Sequence, residues 1–187
     1  MNLLEAVGAA TGILGVWLTA RENVWCWPVG LVNVAAYAVV FFGTRLYADS
    51  GLQVLYFALC LYGWWAWLRG GEDHGRLEVS RVPPAVIGGT FAAGALFAGG
   101  LGFLLRTYTN AALPFFDAGT TSFSLVAQFF QTRKWIENWI VWLVVDAVYV
   151  GMYVNKGLYL TAALYTVFLA LAVLGLVKWR RSLAAHR

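Results

Sequence analysis

One stretch of this chain places two tryptophans, an aspartate and two tyrosines at helical spacing. Trp139, Trp142, Asp146, Tyr149 and Tyr153 lie at i, i+3, i+7, i+10 and i+14, so a helix presents all five on one face. An acid inside a membrane is costly if it faces lipid, so Asp146 is expected to face a partner or a cavity. Because indole faces bind cations, the stripe predicts a site for a flat or cationic ligand. The alternative, an interfacial tryptophan belt with one structural aspartate, explains Asp146 poorly.

Two further segments carry polar side chains at helical spacing. Gln53 and Tyr56 share a face, and the amide of Gln53 offers donors and an acceptor that suit an amide or a sugar hydroxyl. Hydrogen bonding between helices is an equally good interpretation of Gln53. Asn33 and Tyr37 form a shorter pair, four residues apart. Both pairs are therefore candidates for contact with a polar ligand.

A longer polar face follows the segment that begins near residue 116. It includes Thr121, Ser124 and Gln128. A single hydroxyl in a membrane helix can bond its own backbone, but a stripe along the whole segment predicts a water-accessible path. The predicted substrate-binding residues are therefore Trp139, Trp142, Asp146, Gln53, Tyr56, Asn33, Tyr37, Thr121, Ser124, Gln128 and Tyr149.

Enzyme and metal templates find little support in the chain. It has no His–carboxylate–Ser set, no GxxxxGK[ST] loop and no CxxC pair. Cys26 and Cys60 lack metal-like spacing and are interpreted as small apolar residues without a disulfide. An intramembrane hydrolase using Asp146 with Asp117 is only a formal alternative. We predict a protein that is not an enzyme and that has no metal site and no cofactor.

The composition predicts an all-α integral membrane protein. Hydrophobic residues make up 61% of the 187 residues and charged residues 12%, against about half and a quarter in soluble domains. Apolar runs recur at the length that a helix needs to cross a bilayer. Seven transmembrane helices are predicted, at about 3–20, 28–44, 51–68, 82–105, 116–131, 138–154 and 158–178.

The distribution of Lys and Arg predicts the orientation. Three of these residues fall on one side of the seven spans and ten on the other, and the richer side is expected in the cytoplasm. The N-terminus is then outside and the C-terminus inside, and no nucleic-acid partner is needed to explain the net charge. The three are Arg45, Arg106 and Lys156, and the ten are Arg21, Arg69, Arg76, Arg81, Arg133, Lys134, Lys178, Arg180, Arg181 and Arg187.

The chain also resembles itself at an offset of 112 residues. The matched pairs include Arg21 with Arg133, Trp27 with Trp139, Tyr37 with Tyr149, Gly63 with Gly175, Trp67 with Trp179 and Arg69 with Arg181. We predict one membrane domain, 1–187, in a 3+1+3 arrangement. A first three-helix repeat (1–69) and a second (116–181) are joined by a glycine-rich linking helix (82–105), which keeps the repeats parallel about an axis along the membrane normal.

The residues of the aromatic stripe also carry a family resemblance. The run from Arg133 to Asp146, which contains Trp135, Trp139, Trp142 and Asp146, resembles the WxxWxxx[N/D] signature of PnuC-type vitamin transporters. The segment 22–30 and the tryptophan-rich segment 62–67 are similar in style. The resemblance covers the chain from about residue 10 to residue 180.

What the resemblance implies is a bacterial inner-membrane transporter related to the SWEET sugar transporters. It implies facilitated diffusion of nicotinamide riboside, trapped afterwards by a cytoplasmic kinase, with substrate contacts at Trp139, Trp142 and Asp146. Thiamine is the close alternative because it also carries a cationic ring, and riboflavin ranks third. A sugar carrier or a membrane scaffold subunit is less consistent with Asp146 and the polar stripes. The expected partners are the small-molecule substrate and the lipid bilayer, with a homo-oligomer left open.

Overall fold

The computed structural model describes residues 3–43, 47–109 and 114–185, and seven α-helices account for most of them. Arg45 and Arg187, which enter the charge comparison above, lie outside the described residues. The helices are α1 (Leu3–Ala20), α2 (Cys26–Gly43), α3 (Tyr47–Arg69), α4 (Pro84–Tyr108), α5 (Pro114–Thr132), α6 (Asn138–Asn155) and α7 (Tyr159–Ala185).

Two helix ends differ from the sequence prediction for clear physical reasons. Helix α4 begins at Pro84 rather than at residue 82, because Pro83 has extended backbone (φ −58°, ψ 134°) and a proline suits the first turn of a helix. Helix α7 continues beyond residue 178 to Ala185. It does so because Trp179 is completely buried in the core, which keeps the cationic end of this helix packed on the bundle.

The protein is an all-helical membrane protein. Among the described residues, five helices (α2, α3, α4, α6 and α7) are long and apolar enough to cross a membrane, and α1 contributes a shorter apolar helix, Ala6–Ala20. Helix α5 is not in that set because hydroxyl and amide side chains occupy one of its faces. Several of these are buried, including Thr120, Ser122 and Ser124.

The helices of the two halves correspond at the offset of 112 residues. Helix α2 starts at residue 26 and α6 at residue 138, and both have 18 residues. Within each half, α2 packs on α1 and α3, as α6 packs on α5 and α7. The halves meet where α1 packs on α7 and where α3 packs on α5. These two contacts exchange with each other under the offset, as a twofold axis between the halves requires.

Tryptophan packing is also repeated at the offset. Trp27 meets Trp67 edge-on, with ring centroids 5.4 Å apart at 90°, and Trp139 meets Trp179 at 5.4 Å and 86°. The close approach depends on glycine. A Cβ added at Gly63 would lie 2.3 Å from the Trp27 ring, and one at the equivalent glycine of α7 would lie 2.4 Å from the Trp139 ring.

Two of these tryptophans also join the halves by hydrogen bonds. The indole Nε1 of Trp67 donates to the carbonyl oxygen of Gln131 at 3.0 Å, and that of Trp179 donates to the carbonyl oxygen of Thr19 at 3.1 Å. Residues 19 and 131 are themselves 112 apart, so the two bonds are equivalents of each other. Each buried indole N–H thereby satisfies a carbonyl near a helix end.

The linking helix α4 does not hold the two halves together, as its central position in the sequence led us to expect. It packs on α5 of the second half. Gly94 and Gly102 face this contact, because a Cβ would lie 3.2 Å from Val126 at the first and 2.4 Å from Phe115 at the second. The hydroxyl of Ser122 donates to the Gly94 carbonyl oxygen at 2.6 Å. Small residues thus give close helix approach, but on one side only.

Candidate functional site

A cavity of about 570 Å³ lies between the two halves and is lined by residues of α1, α2, α3, α5, α6 and α7. The structure brings all eleven predicted substrate-binding residues to its wall: Trp139, Trp142, Asp146, Gln53, Tyr56, Asn33, Tyr37, Thr121, Ser124, Gln128 and Tyr149. We call it the central cavity. Its volume is in the range of small-molecule sites, about 300–1,000 Å³.

Asp146 gives the central cavity its charge. It is 4% exposed, and no hydrogen bond or ion pair from the described residues reaches its carboxylate. No Lys, Arg or His lines the cavity, and no second acid does so within the described part of the chain. An unpaired buried carboxylate is costly. The arrangement therefore favours a ligand that brings a positive charge.

Trp142 is the aromatic wall beside this carboxylate. It is one turn before Asp146 on α6, and it packs against both buried clusters of the bundle, one around Trp139 and Trp179 and the other around Phe130 and Val145. The packing fixes an indole next to an acid at the cavity wall. A flat cationic ring can stack on the indole while the carboxylate balances its charge.

A cluster of aromatic rings forms the wall farther along α6 and α7. Tyr149, Tyr153 and Tyr165 pack together, with ring centroids 4.7 to 5.9 Å apart, and Phe168 meets Tyr165 edge-on at 5.6 Å. Tyr165 and Phe168 were not predicted. The repeat could have found them, because they are 112 residues after Gln53 and Tyr56, which were predicted.

Asn33 is less free to bind a ligand than its predicted role suggests. Its side-chain amide donates to the Gly8 carbonyl oxygen at 2.6 Å and to the Thr11 hydroxyl at 3.0 Å. Gly8 also lies against Tyr37, since a Cβ there would be 2.9 Å from the Tyr37 ring. Helix α1 thus contributes Gly8, Thr11 and Gly12 to the wall. The signal that could have found them is the four-residue spacing of the glycines.

The polar face of α5 is partly satisfied by its own helix. The hydroxyl of Ser124 donates to the Thr120 carbonyl oxygen at 2.7 Å, the bond that membrane helices commonly make. Gln128 crosses to the other half, with its Nε2 3.9 Å from the Sγ of Cys60. Both side chains still line the central cavity.

At the end of the bundle that carries Arg21 and Lys134, here called the basic end, equivalent residues of the two halves touch each other. The Nε2 of Gln131 lies 3.5 Å from the Thr19 hydroxyl, and the Lys134 ammonium pairs with the Glu22 carboxylate at 3.0 Å. Each pair is 112 residues apart. Residues related by a twofold axis meet only near that axis, so the axis runs through this contact and into the central cavity.

Comparison with known proteins identifies the family. The family model described as "Nicotinamide mononucleotide transporter" matches residues 2–181. The chain belongs to this family. The resemblance to the PnuC-type transporters is thereby confirmed, and the chain is a transporter rather than an enzyme.

Curated relatives cover almost the whole chain. The nicotinamide riboside transporter PnuC of Escherichia coli strain K12 is 28% identical over 207 residues, which is 97% of this chain and 87% of the relative. The riboflavin/roseoflavin transporter RibM of Streptomyces davaonensis is 29% identical over 178 residues, 94% of this chain and 83% of the relative.

A solved structure shares the fold. The crystal structure of the vitamin B3 transporter PnuC aligns with a TM-score of 0.76 over 98% of this chain and 83% of that one, at 23% identity. The chain is therefore a multi-pass membrane vitamin transporter with a PnuC-like fold, and its homologues are bacterial.

Proposed function

We propose that this protein carries nicotinamide riboside across the bacterial inner membrane by facilitated diffusion. The observation that carries the proposal is the unpaired carboxylate of Asp146 beside Trp142 in a cavity without a cationic side chain. Nicotinamide riboside offers a cationic pyridinium for this pair. Its carboxamide and ribose hydroxyls suit the amides and hydroxyls of Gln53, Ser124 and Gln128 on the same wall.

Riboflavin is the second candidate substrate. A riboflavin/roseoflavin transporter is as similar to this chain as a nicotinamide riboside transporter is, at 29% against 28% identity. Riboflavin is neutral, however, and leaves the Asp146 carboxylate without a counter-charge. Thiamine, a third candidate, carries a cationic ring that fits the same charge argument.

The proposed mechanism is uniport by seven membrane-spanning helices in the 3+1+3 arrangement. The two halves, residues 1–69 and 116–181, rock about the central cavity, while the linking helix (82–105) moves with the second half, on which it packs. The contacts between equivalent residues at the basic end close that side, which the positive-inside rule assigns to the cytoplasm. A cytoplasmic kinase then phosphorylates the vitamin and prevents its return.

The test of the substrate is binding to the purified protein. Isothermal titration with nicotinamide riboside, thiamine, riboflavin and a neutral nucleoside gives the ranking directly. We expect nicotinamide riboside to bind most tightly, and Trp142→Ala and Asp146→Asn each to weaken that binding by about tenfold or more, a loss of about 1.4 kcal/mol.

The matched control lies on the same helix. Val144 is 62% exposed on the lipid side of α6, so Val144→Ala should bind the substrate as the wild type does. Wild-type affinity in both cavity variants would show that the aromatic stripe is structural. Preference for riboflavin in the wild type would show that the charge argument chose the wrong vitamin.

A further inference from the structure

A second pocket, of about 420 Å³, lies at the basic end and shares no lining residue with the central cavity. We call it the basic pocket. Its lining residues are Arg21, Glu22, Asn23, Val24, Trp25, Trp67, Leu68, Arg76 and Lys134. Arg21 and Arg76 are exposed to solvent, and Trp25 is 64% exposed, so a solute can reach the pocket from that end.

The charges of the basic pocket do not balance. Arg21, Arg76 and Lys134 contribute three positive charges and Glu22 one negative charge, which leaves two positive charges (3 − 1 = 2). The Glu22–Lys134 contact is the one ion pair formed within residues 3–43, 47–109 and 114–185. The Arg21 guanidinium lies over the Trp17 ring at 4.1 Å and has no carboxylate partner.

Lys134 is held rigidly within this pocket. It is 7% exposed, and its ammonium donates to the Leu77 carbonyl oxygen at 2.9 Å while it pairs with Glu22. It also lies 4.8 Å from the centroid of the Trp67 ring. A buried ammonium beside two free guanidinium groups is a preorganised set of donors for a compact anion with several oxygens.

We propose that the basic pocket binds a phosphate group. A phosphate monoester carries about −1.5 to −2 charges near neutral pH, which matches the two unbalanced positive charges. Arginine forks bind phosphate oxygens in pairs, and the Asn23 side chain, on the pocket wall, adds a further polar group. The phosphate belongs either to a soluble monoester or to the headgroup of an anionic lipid.

Binding at this pocket has a consequence for the contact between the halves. A bound phosphate competes with Glu22 for the Lys134 ammonium, and Glu22 and Lys134 belong to opposite halves. The competition predicts that removing the Glu22 charge strengthens phosphate binding. It also means that the bound phosphate loosens the contact that closes the basic end.

The experiment uses ribose 5-phosphate as the probe and ribose as its neutral control. Isothermal titration is performed on the protein in a maltoside detergent, which contains no phosphate. We expect saturable binding of ribose 5-phosphate, no binding of ribose, and about tenfold weaker binding in Arg21→Gln and in Arg76→Gln. Glu22→Gln should bind the probe more tightly than the wild type.

Two controls separate this pocket from its surroundings. Arg69 is exposed at the same end but does not line the pocket, so Arg69→Gln should keep wild-type binding. Asp146→Asn alters the central cavity and should also keep it, so the result is independent of the proposed substrate.

Adding phosphatidylglycerol to the micelles distinguishes the two phosphate sources. Loss of probe binding through competition identifies a lipid headgroup as the occupant, and unchanged binding identifies a soluble monoester. The proposal is overturned if ribose 5-phosphate does not bind the wild type, or if Arg21→Gln and Arg76→Gln bind it as well as Arg69→Gln does.

Discussion

At the scale of single residues, the two walls of the central cavity have diverged in chemistry. The equivalent of Asp146 in the first half is Val34, and the equivalent of Trp142 is Gly30; all four line the cavity. The second half therefore supplies the carboxylate and the indole, while the first half supplies space. A ligand on the axis is drawn toward α6, although the backbone on the two sides is closely equivalent.

The glycines under Trp27 and Trp139 allow a direct test of that equivalence. Gly63→Ala and Gly175→Ala each place a methyl group within about 2.4 Å of a buried indole, and overpacking of this kind costs about 1–3 kcal/mol. Both variants should lower the melting temperature in detergent. Gly99→Ala is the control, because nothing lies within 4 Å of a Cβ there and alanine favours a helix. If Gly63→Ala melts as Gly99→Ala does, the ring packing described here is wrong.

At the scale of the helices, the sequence predicted most of what positions the site. Helical phase alone chose eleven residues that line one cavity, because a membrane helix hides its polar side chains on one face. Their role in binding substrate stays a prediction. Phase could not find Tyr165 or Phe168, whose aromatic rings look the same whether they face lipid or a cavity. Nor could it show that α4 packs on one half only, because its glycines are spread along the helix and indicate no single face.

The contact between the two halves depends on two equivalent hydrogen bonds. Trp67→Phe and Trp179→Phe keep an aromatic ring but remove the N–H that reaches a carbonyl of the other half. Bonds of this kind between membrane helices contribute about 0.6–2 kcal/mol. Each variant should therefore melt several degrees lower in a thermal-unfolding assay, and to a similar extent. Trp65→Phe, at a position 55% exposed, should be neutral, and a loss equal to the other two there would point to a general effect of removing tryptophan.

For the whole molecule, the charge distribution predicts how the protein lies in the membrane. Glu72 is on the exposed loop at the basic end and Tyr108, 78% exposed, is at the other end of α4. In intact cells a membrane-impermeant maleimide should label Tyr108→Cys and not Glu72→Cys, and permeabilised cells should show labelling of both. The native Cys26 and Cys60 are buried and give a low background. Labelling of Glu72→Cys in intact cells would reverse the orientation.

The chemistry of the central cavity also decides what can drive transport. Proton-coupled carriers often use a relay of several ionisable groups, whereas Asp146 is the single charged side chain on this cavity's wall within the described residues. If that carboxylate balances the charge of the substrate, it is not free to carry a proton as well, and uniport follows. In proteoliposomes without ATP, sodium or a pH gradient, nicotinamide riboside should enter until the inside and outside concentrations are equal. Addition of the kinase and ATP to the lumen should raise total uptake, because phosphorylated product does not return. Asp146→Asn liposomes, reconstituted to the same density, are the control for leakage. Accumulation of unmodified substrate above the outside concentration when a proton or sodium gradient is imposed would demonstrate coupling and exclude uniport.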